Sequence, residues 1–181
     1  MGFFYGILFF IIIVGSLLIG YVIFFNKLQT ANSKIEQAES IIDEMLRKKY
    51  DLLCQINIIY KKNVKNSKDY LKVLESLKDK KIGNFDLDRK LAEIFNIVIE
   101  IKNDHQSLEE DKEYKKAIME IKAADEKLLA AKVYYNKYTN LQNELVRTFP
   151  SNIIGKLHGY KVRLFFDGKD MSDDVYNDFK L

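Results

Sequence analysis

The sequence is poor in the residues that build irregular and disulfide-bonded folds. Its 181 residues include one Pro, one Cys, eight Gly and no Trp. One Cys cannot form a disulfide within the chain, and there are too few turn-forming residues for a β-sandwich, a barrel or a collagen-like repeat. The net charge of +3 is too small and too evenly spread for the concentrated basic surface that nucleic acids require. These absences favour an all-helical protein and predict no nucleic-acid partner.

Charged side chains are also absent from the start of the chain, where the longest apolar run lies. The 23 residues from Phe3 to Phe25 carry no charge, and a helix of that length covers a hydrocarbon core about 30 Å thick. The run lacks the positive n-region and the small-residue cleavage site of a secretory signal peptide. We therefore predict that residues 1–25 form a retained transmembrane anchor.

Small residues in the anchor recur at a spacing that allows two membrane helices to approach closely. Gly2 and Gly6 form one such pair and Ser16 and Gly20 another, which indicates a possible homodimer. The alternative is that Gly is simply common in membrane helices.

Lysines follow the anchor, whereas no charged side chain precedes it. Lys27 and Lys34 therefore predict, by the positive-inside rule, an N-terminus outside and a cytoplasmic helical domain at the cell membrane. An extracytoplasmic domain is the alternative, because long domains cross membranes largely regardless of their charge.

Beyond the anchor, apolar residues recur at helical spacing, and we predict a helical domain over residues 26–148. Four helices are expected. The first has about 35 residues and ends before Lys61–Asp69, and a short second one runs from Tyr70 to a left-handed end at Gly83 or Asn84. The third ends near Asn103, and the fourth runs from a Ser107–Glu110 capping box to Thr148, before Pro150. Their lengths predict an antiparallel up-and-down four-helix bundle with two long and two short helices. Residue 149 then returns to the membrane.

The segment after the bundle, residues 149–166, combines basic and apolar side chains. Lys156, Lys161 and Arg163 occur there without an acidic residue, and Phe165 and Phe166 close it. This composition suits a membrane interface, so we predict contact with lipid. An equally supported alternative is a lid that folds back over the open end of the bundle. The acidic residues 167–181 are predicted to be a disordered tail.

Several short motifs occur at characteristic positions along the chain. The most specific is Tyr135-Asn136, which is followed at a fixed distance by Phe149-Pro150-Ser151-Asn152. Asn26 after the anchor, Asp51 in Lys48–Leu53, and Lys132 in the same run as Tyr135 and Asn136 occupy further motif positions. These motifs resemble those of the LemA family of bacterial membrane-anchored helical proteins, and the resemblance covers nearly the whole chain.

The chain also departs from the family pattern, which suggests a divergent member. Cys54 replaces a usual Pro, and Gln142-Asn143 replaces a second Tyr-Asn. The resemblance implies an N-terminally anchored helical bundle with a poorly defined role and no established catalytic residues.

Residues with catalytic or metal-binding chemistry do not form a known constellation. Cys54 lies on an apolar helical stripe and is read as a small buried hydrophobe, and neither His105 nor His158 has an acidic residue three positions before it. The acidic residues Glu109, Glu110, Asp111 and Glu113 are read as a solvated first helical turn. We predict no catalytic residue, no cofactor and no metal site.

Asp51 and Lys132, at family-motif positions on the two long helices, are expected to pair across the helix interface and to fix its register. Together these features predict a non-catalytic, single-pass scaffold or adaptor whose partners are membrane lipid and membrane or peripheral proteins. An extracytoplasmic module that assembles envelope components is the alternative, and an enzyme, which would need a pocket of convergent polar groups, is less favoured.

Overall fold

The computed structural model describes residues 2–64, 72–78, 82–105, 108 and 110–168. These residues contain helices and no strand, which confirms the all-helical prediction. The helices longer than one turn are α1 (Gly2–Asn63), α2 (Lys72–Lys78), α3 (Asn84–Asp104), α4 (Lys112–Arg147) and α5 (Ser151–Leu157).

The predicted anchor and the predicted first helix are one uninterrupted helix. No Pro or Gly occurs between Gly20 and Gly83, so nothing in the sequence breaks α1 where the composition changes after Phe25. The first part of α1 is long and apolar enough to cross a membrane, and none of that stretch is buried within the protein. The helix extends to Asn63, slightly into the polar stretch that was expected to end it.

The start of α3 corrects one sequence prediction. Gly83 is extended, with φ of −67°, and precedes α3 instead of closing the preceding helix in a left-handed conformation. Asn84 is the first residue of α3, and its amide donates to Asp43 Oδ1 on α1 at 2.5 Å. That side-chain contact is a tertiary constraint, which local sequence does not reveal.

The start of α4 is capped by Asp111. Its Oδ1 accepts hydrogen bonds from the backbone N–H of Glu113 (2.8 Å) and of Tyr114 (3.0 Å), as an N-cap carboxylate does. The bond from Tyr114 is the main reason that the pKa of Asp111 lies below its usual range. Ser107, the predicted cap, lies outside the described residues, as do Glu109, most of Lys61–Asp69 and the tail from residue 169.

The chain packs as two compact units, one of Ala38–Val133 and one of Met1–Gln37 with Tyr134–Leu181. In Ala38–Val133, contacts between α1 and α4 run in opposite chain directions, because Lys49 reaches Asp125 whereas Asn63 reaches Asp111. All four helices of this unit contribute buried apolar side chains, among them Leu46, Leu53, Leu74, Leu91, Val98, Ile121 and Leu128. The apolar residues that recur at helical spacing on α4, such as Ile121 and Leu128, therefore form its buried face.

Tyr114 is a polar member of this core. Its hydroxyl donates to the carbonyl oxygen of Val98 at 3.2 Å, and burial raises the pKa of Tyr114 from 10.0 to about 12. A raised pKa means that the folded state favours the neutral phenol. The contribution of the neutral Tyr114 phenol to the free energy of unfolding is therefore complete below pH 10 and is lost as the pH rises towards 12.

Tyr114→Phe should lower the free energy of unfolding by about 1 kcal/mol at neutral pH, because the hydrogen bond to Val98 is lost while the ring remains. The difference between the two proteins should then shrink between pH 10 and 12, because only the wild type loses a neutral buried phenol there. Urea unfolding of the full chain in detergent micelles, followed by circular dichroism, measures both effects. A difference that stays constant up to pH 12 would contradict the assignment.

Candidate functional site

The residues that sequence analysis singled out at the C-terminal end meet in the unit of Met1–Gln37 and Tyr134–Leu181. Pro150 separates α4 from α5, and Gly159 ends α5 with a φ of +74°. The N–H of Tyr160 bonds to Gly155 O and that of Gly159 to Lys156 O, which is a Schellman ending. This turn directs the chain back along α4.

The returning chain, residues 160–166, is called the C-terminal strap below. Asn143 on α4 is fully buried and holds the strap at Arg163 with both ends of its amide. Its Nδ2 donates to Arg163 O at 2.7 Å and its Oδ1 accepts from Arg163 N at 2.8 Å. Gln142, also buried, donates from Nε2 to Lys161 O at 3.1 Å. Two adjacent amides of α4 therefore pair with the backbone of the strap.

Tyr135 and Asn136, the most specific family-motif positions, bind the far end of the strap. The Tyr135 hydroxyl donates to Leu164 O at 3.1 Å, and Asn136 Oδ1 accepts from Phe166 N at 2.9 Å. The ring of Phe166 meets that of Tyr135 edge-on, with centroids 6.5 Å apart. The bonds from α4 to the strap thus reach main-chain atoms, so they recognise an extended backbone and not a particular set of side chains.

Helix α1 binds the strap through two side-chain contacts. Arg163 Nη2 donates to Asn32 Oδ1 at 3.0 Å, and the Tyr160 hydroxyl donates to Gln29 Oε1 at 2.6 Å. The strap therefore joins α1 to α4 in this unit.

The end of α5 is fixed to α1 where the apolar run of α1 ends. His158 Nε2 lies 2.6 Å from the Tyr21 hydroxyl, and its ring centroid is 4.6 Å from that of Phe25. Beside this contact Leu28, Leu145 and Ile154 form a buried apolar cluster, against which Tyr21, Phe24, Phe25, Val146 and Tyr160 pack.

Residues 149–166 divide into two parts that lie in different places. Phe149 and α5 lie at the end of the apolar run of α1, and Lys156 is exposed there. Arg163, Phe165 and Phe166 are half-buried, and Arg163 and Phe166 bind side chains of α4.

The strap folds back along α4. Asn136, which binds Phe166, precedes the end of α4 at Arg147 by 11 residues. This number of residues corresponds to about 16 Å along a helix. Lys161 is exposed on the same strap. Contact of Lys156 and Lys161 with lipid stays a prediction.

The predicted pair of Asp51 and Lys132 is wrong. Lys132 Nζ instead contacts Asp88 Oδ2 on α3, and Asp51 lies exposed on α1. A partly buried pair forms elsewhere in Ala38–Val133, where Lys49 Nζ contacts Asp125 Oδ1 at 2.6 Å and the side chains of Lys49 and Asp125 are 4% and 36% exposed. The sequence does not reveal the burial of Lys49, because a lysine beside Lys48 resembles a solvated helix face.

Gln142 and Asn143 were also missed as functional residues. The signal in the sequence is that the stripe of Ala124, Leu128 and Ala131 on α4 continues into polar residues. A buried polar residue needs a hydrogen-bond partner, so this change predicts a polar segment packed on the stripe. Asn26, at the family-motif position after the anchor, is exposed and lines an open groove of about 530 Å³ with Lys27.

The residues considered for metal or covalent chemistry lie apart. In the described ranges, no group of three or more His, Cys, Asp or Glu side chains could hold a metal ion. Cys54 is partly buried, not fully buried as expected. Glu110 and Glu113 are exposed, in agreement with a solvated turn, whereas Asp111 is the N-cap of α4.

Asn143→Ala should release the strap from α4, because Arg163 loses both bonds to the amide, worth about 2 kcal/mol together. That loss raises the population of open strap by about 30-fold. Tryptic cleavage after Lys161 and Arg163, followed by mass spectrometry of the full chain in micelles, should accelerate accordingly. Asn140→Ala, at an exposed position on the same helix, should leave the cleavage rate unchanged. Equal rates for both variants would mean that Asn143 does not hold the strap.

Comparison with known proteins identifies the family. The sequence model of the LemA family matches residues 38–179, which is most of the chain. No curated protein and no solved structure matches the sequence. The matched range contains the unit of Ala38–Val133, the strap and the α4 residues that bind it. The chain belongs to the LemA family.

Proposed function

We propose that this LemA family protein is a single-pass membrane scaffold or adaptor, without catalytic activity, that binds partner proteins or lipid at the membrane surface. One observation carries the proposal. The apolar first part of α1 is uncovered by protein, and the same helix continues without a break into the packed core of Ala38–Val133. A membrane segment and a folded helical unit therefore share one continuous element.

The uncovered part of α1 supports membrane anchoring on energetic grounds. Large apolar side chains such as Phe3 and Phe10 are 82% and 67% exposed. Exposed apolar surface in water costs about 25 cal/mol per Å² relative to an apolar environment. A lipid bilayer would remove this cost, and the backbone of the helix already satisfies its own hydrogen bonds, as a spanning segment must.

The contacts within Ala38–Val133 support the finer proposal of an up-and-down four-helix bundle. Side-chain bonds join α1 to α4 in antiparallel directions and α3 to both, through Lys132 and Asp88 and through Asn84 and Asp43. Such a bundle supplies a rigid surface for partners.

A groove between α1 and α4 is a surface of this unit that suits a protein partner. It has a volume of about 470 Å³ and is lined by Leu52, Gln55, Ile58, Ile59, Glu113, Lys116, Ala117 and Glu120. Ile58 is 68% exposed at its edge. An apolar side chain surrounded by charged residues is typical of a docking surface with a polar rim.

The environments of Asp111, Tyr114 and Lys49 support the proposal that the protein is not a catalyst. Asp111 and Tyr114 have clearly shifted pKa values, and both shifts follow from structural contacts, the N-cap of α4 and burial in the core. Buried Lys49 is paired with Asp125 and its ammonium lies 5.8 Å from the ring centre of Phe95. These groups have structural partners within the fold, which favours a scaffold over an enzyme.

Photo-crosslinking in intact membranes tests the scaffold proposal. The full chain carries a benzophenone amino acid in place of Ile58, and a matched variant carries it in place of Lys122, which is exposed on α4 of the same unit. We expect discrete protein adducts from position 58, because the groove offers apolar contact, and few from position 122. Identical adduct patterns at both positions, or no protein adducts at position 58, would contradict the proposal.

A second prediction concerns orientation. In a Cys54→Ser background, Lys161→Cys offers a single exposed thiol in the strap. A membrane-impermeant maleimide should label it only after the cells are lysed, because Lys27 and Lys34 favour a cytoplasmic domain. Equal labelling of intact and lysed cells would instead support the extracytoplasmic alternative, a module that assembles envelope components.

A further inference from the structure

Helix α5 has apolar side chains on its outer face as well as on its inner face. Its inner residues Ile154 and Gly155 are buried against α1 and α4. On the outside, Ile153 and Leu157 are four residues apart and are 59% and 72% exposed, and Phe149, in the turn before α5, is 79% exposed. Residues at this spacing line one side of a helical turn. These three residues are called the α5 apolar row.

The position of this row along α1 is fixed by the contacts of α5. Ile154 packs in the cluster of Leu28, and His158 contacts Tyr21 and Phe25. Phe25 is the last residue of the uncharged run of α1. The row therefore lies at the level where α1 would leave the hydrocarbon core of a bilayer and enter the headgroup region.

The charges beside the row suit anionic headgroups. Helix α5 contains no acidic residue and carries Lys156, which is exposed, between Ile153 and Leu157 in sequence. On α1, Lys27 is exposed at the same end of the span and lies 5.7 Å from the ring centre of Phe24. Aromatic side chains and lysines at the end of a membrane span are typical of the interface between lipid and water.

Apolar side chains of the strap provide a contrast. Leu164 is 55% exposed, close to the value for Ile153. The strap binds α4 at Tyr135 and Asn136, about 16 Å along the helix from Arg147. Leu164 is therefore apolar and exposed, but it lies away from the end of the span.

We propose that the α5 apolar row inserts into the interfacial region of the same bilayer that α1 spans, with Lys156 at its anionic headgroups. The occupant of this surface is lipid, because the row continues the uncovered apolar surface of α1 at the correct level. This inference rests on the membrane anchoring in the proposed function. It adds a second contact with the membrane, which holds the ends of α4 and α5 against the bilayer.

The absence of Trp from the sequence provides the test. Four full-length variants each receive one Trp: Ile153→Trp and Leu157→Trp in the row, Leu164→Trp in the strap, and Ile11→Trp in the span. Each is reconstituted in vesicles of phosphatidylcholine and phosphatidylglycerol, with and without lipids brominated near the headgroup end of their acyl chains. Circular dichroism first checks that each variant keeps the helix content of the wild type. Two positions in the row keep the test decisive if one substitution disturbs folding.

We expect Trp emission from positions 153 and 157 to lie at shorter wavelength than that from position 164, and brominated lipid to remove most of it. Emission from position 164 should be unaffected by bromine. Quenching of the emission from position 11 tests separately whether the apolar part of α1 lies in the bilayer.

Three results would overturn the inference. If both row positions escape quenching while position 11 is quenched, the anchor stands and the row does not touch lipid. Short-wavelength emission without quenching at the row would then mean that a protein, such as a second copy of the chain, covers it. If position 164 is quenched as strongly as position 153, the contact is not specific to the row. If position 11 itself escapes quenching, the anchoring in the proposed function fails, and this inference fails with it.

Discussion

The uncovered apolar surface at the start of α1 constrains the rest of the structure. A helix satisfies its own backbone hydrogen bonds, so this part of α1 keeps its conformation with no protein around it. Beyond Phe25 one face of the same helix is covered by protein. Leu28 and Ile35 are buried in one unit, and Ile42 and Leu53 in the other. One helix therefore has an uncovered apolar part and a covered part without changing conformation, because its backbone bonding is the same in both.

The strap shows a different way to meet the requirement that main-chain polar groups be bonded. Residues 160–166 are neither helical nor paired with a strand. Asn143 supplies one donor and one acceptor to Arg163, which is the pairing that a neighbouring strand would offer. At the end of the strap, Tyr135 donates to the main chain of Leu164 and Asn136 accepts from the main chain of Phe166. A helix face with amide side chains thus replaces a sheet edge, and this accounts physically for the Tyr-Asn motif.

Polar pairs between helices in Ala38–Val133 set the register of its apolar contacts. Lys49 is almost completely buried, so its ammonium would be costly without Asp125. The pair of Lys132 and Asp88 joins α4 to α3 in a similar way. Apolar side chains tolerate a shift along a helix better than a buried charge does, since a shift would separate the charge from its partner. We infer that these pairs select one arrangement of the helices more than they add to stability.

The sequence by itself determined that the chain is mostly helical, that it starts with a long apolar helix, that α4 ends before Pro150 and that α4 has one apolar face, because these depend on local composition and periodicity. It also identified the family, through Tyr135, Asn136, Phe149 and Pro150. It did not predict that Ser151–Leu157 form a helix. It did not determine that Lys132 pairs with Asp88 and not with Asp51, nor that Asp111 caps α4. Only the tertiary structure showed that one part of residues 149–166 packs at the end of the apolar run of α1 while the strap binds α4. Composition shows that residues 149–166 are basic and apolar. Which surface the strap binds depends on the turn at Gly159, because this turn brings the strap within hydrogen-bond distance of the amides of α4.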